Sequence, residues 1–155
     1  MNTEFTIREY HGKADRKALE LIGLPAKYIR QYTNAPPLYY ALKVLAICTN
    51  ELYLMSENAT GKIVGTILVR QRLNPFEVRY DWKIHAVYVA PELRGRGFGV
   101  ALVSYALQKS GERRAKEVSL KVDGNNDAAI RLYKKCGFVE KIRTHNQIIF
   151  IKQLA

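Results

Sequence analysis

Apolar residues along this chain fall into two periods, and the change from one to the other marks its elements. Phe5 and Ile7 alternate with polar neighbours over 4–8, as in a short strand. Residues 13–22 and 25–32 carry helical spacing, with Pro25 suited to a helix start because its missing N–H is no loss there. Asn34-Ala35-Pro36-Pro37 breaks the chain, and 38–48, which fits neither period cleanly, is read as helix. Residues 52–55 and 63–69 read as two strands joined by the turn-forming 58–62. A long strand is expected over 78–90, after the Asn74-Pro75 turn.

A helix over 100–109 is apolar on nearly all sides and therefore expected to be buried. A strand over 117–122 leads to an amphipathic helix over 126–135. There Ala129, Leu132, Tyr133 and Cys136 form one stripe, Arg131, Lys134 and Lys135 face away, and Gly137 stops the helix. Residues 138–143 and 148–152 close the chain as an antiparallel pair. The order predicts an α/β (α+β) fold: a mixed central sheet of about seven strands flanked by helices on both faces. At 155 residues it makes one domain, 1–155.

Composition adds exclusions. The start of the chain is charged from Glu4 onward and lacks the apolar stretch of a signal peptide. No apolar run approaches the ~20 residues of a membrane span. Cys48 and Cys136 make no disulfide framework, and His11, His85 and His145 are scattered, so no metal site is expected. A cytoplasmic location follows as the default. The formal charge of +11 favours polyanions: nucleic acid, an anionic membrane or a phosphate-rich small molecule.

The chemistry concentrates after the long strand, in HAVYVAPELRGRGFGVAL, residues 85–102. A strand runs into glycines that open a helix, and the first turn of a helix has N–H groups and partial positive charge to offer an anion. Arg94 and Arg96 add fixed charge able to bond phosphate through two N–H groups. Neither phosphate-loop fingerprint fits: no Gly-Lys-Ser/Thr follows, and the third position of G-x-G-x-x-G is Val100.

The spacing Arg94, Gly97, Gly99 instead resembles the R-x-x-G-x-G pyrophosphate motif of the GNAT acetyltransferases. A second block, 122–138, is similar to that family's V-x-x-x-N-x-x-A-x-x-L-Y-x-x-x-G-F at every fixed position. The resemblance covers 78–152 well, as a cofactor-binding and catalytic core, and leaves 1–77 to shape the acceptor site. It implies acetyl-CoA as co-substrate, without a metal, and an acetyl group passed directly to a primary amine in a ternary complex. Val87, Tyr88 and Val89 would pair with the pantetheine arm. Arg94, Gly95, Arg96, Gly97, Phe98, Gly99 and Val100 would hold the pyrophosphate. Asn126 and Ala129 would lie beside the pantetheine, and Tyr133 beside the thioester sulfur as general acid.

His85 is the candidate base, because an ordinary imidazole titrates near ~6.5 and an ideal strand gives it a face shared with Asp81, Val87 and Val89. Asp81 and Glu77 are weaker candidates, and an amine can also lose its proton to water. The acceptor, a small-molecule amine or a protein amino group, is set by 1–77 and the 142–148 segment. A homodimer is compatible with this reading, and membrane and nucleic-acid partners are not expected. The rival readings are a CoA-binding sensor of this fold without turnover, and a basic nucleic-acid-binding module.

Overall fold

A computed structural model describes residues 5–11, 15, 48–74 and 76–154. Apart from Asp15, the helices expected over 13–22 and 25–32 lie outside these residues, as does all but the end of 38–48, where Cys48 begins a strand. Seven strands form one sheet: β1 (Phe5–Glu9), β2 (Cys48–Glu57), β3 (Ile63–Asn74), β4 (Arg79–Val89), β5 (Glu117–Asp123), β6 (Val139–Arg143) and β7 (Gln147–Gln153). Their spatial order is β1-β2-β3-β4-β5-β7-β6. Every neighbouring pair is antiparallel except β4 and β5, which run parallel. The sheet is therefore mixed, as expected. Helix α1 (Phe98–Glu112) connects β4 to β5, and α2 (Asp127–Lys135) connects β5 to β6.

Both helices cover the same face. Ile67, Val69, Trp82, Ile84, Val118, Leu120 and Phe150 join Leu102, Val103 and Ala106 of α1 and Tyr133 of α2 in one core. On the opposite face Leu54, Thr66 and Leu68 are equally buried. Arg8, paired in register with Leu54, holds Asp15 on that face through two 2.7 Å bonds. Burial on both faces explains why Ile63–Val69, broken only by the buried Thr66, is nearly all apolar instead of alternating.

The strands run further than their apolar residues. β3 continues to Asn74 through Arg70, Gln71 and Arg72, which pair with Lys83, Trp82 and Asp81. Arg70, Gln71 and Arg72 themselves carry no hydrophobic signal, so the sequence ended this strand at residue 69. The antiparallel pair expected over 138–143 and 148–152 is present as β6 and β7. Only a tight turn separates β6 from β7, closed by the Thr144 N–H to Gln147 O bond at 2.8 Å. α1 also keeps a solvent edge at Ser104 and Gln108, narrower than its apolar composition suggested.

α2 ends as its Gly137 predicted. Gly137, at φ 82°, donates to Lys134 O, and Phe138 donates to Tyr133 O, both at 3.0 Å. These are the two bonds of a Schellman cap. A second glycine sets the height of α1 above the sheet. A Cβ on Gly65 would lie 2.9 Å from Leu102 Cδ1 and 3.2 Å from Tyr88 O.

Leu102 is fully buried and has no room to yield. Gly65→Ala should therefore lower stability by about 1–3 kcal/mol, the cost of overpacking a well-filled core. Gly111→Ala, in the exposed last turn of α1 where a Cβ meets nothing within 4 Å, should raise it by about 0.5–1 kcal/mol. Urea midpoints measure both; equal midpoints for the two variants would mean that the helix does not rest on Gly65.

Candidate active site

The parallel strands β4 and β5 pair only over Trp82–Val118, Lys83–Ser119 and Ile84–Leu120. β4 continues to Val89 and β5 to Asp123 without a further rung between them. Over that stretch β4 stays paired with β3, and β5 with β7. The sheet thus opens into a cleft whose β4 wall is Ala86–Val89. A strand edge without a neighbouring strand presents backbone N–H and C=O groups to whatever fills the gap.

The cleft begins at an irregularity. Leu68 pairs with Ala86 but Val69 pairs with Ile84, so His85 is an extra residue, a β-bulge. The bulge resets the alternation. Before it, Trp82 and Ile84 point into the helix-covered core; after it, Val87 and Val89 do. The sequence expectation that His85 shares a face with Asp81, Val87 and Val89 is therefore corrected. Asp81 pairs with Arg72 on the face away from the helices, whereas Val87 and Val89 pack against the core.

Beyond β4, a short 3₁₀ turn at Pro91–Leu93 leads into the glycines. Gly95 and Gly97 take φ of 77° and 89°, values that favour glycine, and nothing lies within 4 Å of where a side chain would project. Gly97 is the N-cap of α1 and supplies no side-chain bond. The first backbone bond of the helix runs from Ala101 N–H to Gly97 O. The N–H groups of Phe98, Gly99 and Val100 are left at the open end of the helix.

Arg94 bonds Val89 O through Nε at 3.0 Å, which ties the turn to the strand end and leaves the outer nitrogens of its guanidinium for an anion. Arg96 lies over the Phe98 ring, which packs edge-on against Phe5 with centroids 4.5 Å apart. At Gly99, a Cβ would meet Leu132 at 3.3 Å and Val89 Cγ2 at 3.9 Å. The strand end, the glycine turn and α2 therefore meet at one point.

From α2, Tyr133 is buried against Phe138 and Phe150. Burial, and then the neighbouring Cys136 thiol, push its hydroxyl up to about 12. Among the described residues that hydroxyl has no hydrogen-bond partner. Ala129 and Leu132 pack beside it as the stripe predicted. Asn126 has a second job that its motif position concealed: its Oδ1 accepts from Ala129 N–H at 3.1 Å and caps α2. Only its NH₂ remains for a ligand. Cys136 is a free thiol raised above its ordinary value by burial.

His85 lines a groove, although its side chain reaches solvent. Partial burial, then the cations Arg70 and Lys83, bring its imidazole down to about 4. Glu77 and Asp81 are both ion-paired to Arg79. Spacing alone gave no weight to Arg70 and Lys83, because their pairing across β3 and β4 appears only with the register. Among the described residues no three metal-binding side chains converge, and no helix is long and apolar enough to cross a membrane.

The family model described as "Acetyltransferase (GNAT) family" matches residues 24–138. An uncharacterized N-acetyltransferase of Methanocaldococcus jannaschii is 34% identical over 95 residues, 61% of this chain and 42% of that protein. A mycothiol acetyltransferase of Saccharomonospora viridis is 35% identical over 98 residues, 61% of this chain and 32% of that protein. The chain thus spans less than half the length of these relatives. Among solved structures, NAA60 of Arabidopsis thaliana in complex with acetyl-CoA superposes with a TM-score of 0.75. Its identity is 16%, with 97% of this chain and 98% of that one covered.

The state of His85 can be measured. Its imidazole resonances should titrate near pH 4, and Lys83→Gln should move the midpoint upward by removing one of the two cations. The unfolded imidazole takes its proton from about 6.5 downward. The folded one waits until about 4, so folding stability should fall as pH drops through that window. A midpoint that stays near 6.5 would mean that the groove exerts no such field.

Proposed function

Because the chain belongs to the GNAT acetyltransferase family, we propose that it transfers the acetyl group of acetyl-CoA to a primary amine by direct attack. The observation that carries this reading is the cleft between β4 and β5, set beside an uncapped, glycine-lined helix end. A pantetheine arm is strand-like in its spacing of amides and suits the Ala86–Val89 edge, while the pyrophosphate suits the N–H groups of Phe98, Gly99 and Val100. Arg94 and Arg96 flank that position with positive charge. The NH₂ of Asn126 and the stripe of Ala129 would face the same arm.

In the reaction the amine nitrogen adds to the thioester carbonyl carbon. A backbone N–H of the Val87–Val89 stretch takes the negative charge that builds on oxygen. The C–S bond then breaks, the coenzyme thiolate leaves, and the amine proton passes to solvent or to a base. Tyr133 is the donor to that thiolate. With its hydroxyl near 12, it keeps its proton at any working pH and is a weaker acid than a thiol of ordinary pKa, ~8.5. Its role is therefore a hydrogen bond to the developing thiolate rather than complete proton transfer.

His85 is neutral at working pH and accepts a hydrogen bond from the acceptor amine. Held near 4, it is a weak base, so the acceptor must arrive able to lose its proton readily. A sensor without turnover would need the same cofactor cleft but no Tyr133 hydroxyl, and thiol release on mixing with amines separates the two.

Gly97→Asp should weaken acetyl-CoA binding by at least ~1.4 kcal/mol, a factor of ten, through strained backbone and an anion beside the phosphates. Titration calorimetry tests it, and undiminished affinity in the folded variant would move the phosphates elsewhere.

Tyr133→Phe should keep the packing against Phe138 and Phe150 and leave the melting temperature level or slightly higher, since the lost hydroxyl has no partner among the described residues. A charged hydrogen bond is worth ~1.5–3 kcal/mol, so kcat should fall about 10- to 150-fold with little change in KM for acetyl-CoA. A kcat within twofold, with chemistry shown to limit the rate, would reduce Tyr133 to a packing residue.

A further inference from the structure

The groove that contains His85 holds about 1070 Å³. Its strand residues Arg70, Lys83, Ser119, Ile149 and Ile151 alternate with the core residues of the same strands, so it lies on the sheet face away from α1 and α2. It crosses β3, β4, β5, β7 and β6. Five strands at a spacing of ~4.8 Å span ~19 Å, the reach of about six extended residues at ~3.3 Å each. That is longer than a small metabolite.

Its charge is one-sided. Among the described residues, eight lysine and arginine side chains line it against two carboxylates, Asp81 and Glu117. Both carboxylates are already engaged. Asp81 lies 3.4 Å from Arg79, and Glu117 lies 4.0 Å from Lys141 and accepts from Gln153 at 2.6 Å. Arg72, Lys83, Arg114 and Lys116 have no ion-pair partner among the described residues. Arg70 stands directly opposite Lys83 in the ladder, and like charges in facing positions work against a sheet. Lys83 has no ion-pair partner among the described residues, and a ligand's negative charge beside it would offset that opposition.

We propose that this groove binds the acetyl acceptor as an acidic peptide and delivers its amine at His85, where β4 and β5 begin to part. The inference rests on the acetyl-transfer reading and specifies its acceptor. Polyamines and other cationic acceptors meet repulsion along the whole groove. Nucleic acid would find the charge but, among the described residues, a single exposed tyrosine ring to stack on, Tyr80: Trp82 in the wall is 2% exposed, and the floor is aliphatic, with Ile149 and Ile151. An extended peptide lays alternate side chains on such a floor while the others reach the cations. The low imidazole of His85 reports the same positive field, which also helps the acceptor ammonium lose its proton before attack.

The test uses three hexapeptides with free N-termini and C-terminal fluorophores: serine followed by five glutamates, by five glutamines, or by five lysines. Anisotropy with the full chain and CoA at low salt should show the glutamate peptide binding at least ~tenfold more tightly than the glutamine peptide, the gap shrinking in 0.5 M salt as screening predicts. The double variant Lys83→Gln/Lys116→Gln should lose at least ~fivefold in affinity for the glutamate peptide while keeping its thermal shift with acetyl-CoA. In a thiol-release assay the glutamate peptide should give the highest kcat/KM. Equal or tighter binding of the glutamine or lysine peptide overturns the proposal. So does a single-stranded RNA hexamer that outcompetes the glutamate peptide and is weakened by the same double variant. Tight, variant-sensitive binding of the glutamate peptide without thiol release upholds the groove assignment and sinks the acetyl-transfer reading instead.

Discussion

The parting of β4 from β5 after Ile84 organises everything else in this molecule. Two parallel strands that stayed paired to their ends would bury the backbone of Ala86–Val89 in a continuous sheet and leave no cleft between them. Instead each strand keeps only its outer neighbour, β3 or β7, and the gap exposes main-chain groups inside an otherwise apolar region. Such groups need hydrogen bonds, so the cleft is built to be filled by something strand-like. The bulge at His85 sits where the pairing ends. Bulges bend and twist a strand locally, and here the bend coincides with the divergence.

A gap in a sheet must be braced from outside, and α1 does this. It rests on β3 at the side-chain-free Gly65, touches β1 through Phe5 and Phe98, and meets Val89 and Leu132 at Gly99. Its N-terminal turn is thus held against the β4 wall of the cleft and against α2. The Arg94 bond to Val89 O ties the same corner from the loop side. Binding and support are therefore divided within one turn: side chains and packing fix its place, and backbone N–H groups stay available. The same division recurs at Asn126, where one end of the amide caps α2 and the other remains for a ligand.

What the sequence revealed and what it hid follow from this division. The glycine turn was legible because positive φ and close approach demand glycine in a fixed order, and α2 was legible because its stripe and Schellman glycine agree. The bulge was not. HAVYV, residues 85–89, reads as a smooth apolar strand, and an extra residue changes no composition, so the face assigned to His85 came out wrong. Nor was the placement of β7 between β5 and β6 visible, because a hairpin can dock by either strand. The low imidazole of His85 needed the register that sets Arg70 against Lys83, which no periodicity encodes.

The charge of +11 gains meaning only through its placement. Spread evenly, it would serve solubility and be screened within ~10 Å at ordinary salt. Much of it instead lines one side of the sheet, where the carboxylates present are already bound to other cations. If the acceptor amine is attacked from this groove, as proposed, a positive field there has two opposed consequences. It favours the neutral, nucleophilic form of an amine, which the reaction needs, and it repels the ammonium form, which dominates in water. An acceptor with no other charge gains the first effect and suffers the second. An acceptor with carboxylates further along gains both ways: its acidic groups are drawn to the cations while its amine is pushed towards neutrality. On the proposed reading, His85 is too weak a base to take the proton unaided, the groove's own field would assume part of that work, and the reaction would depend on an acceptor whose remaining groups hold it there.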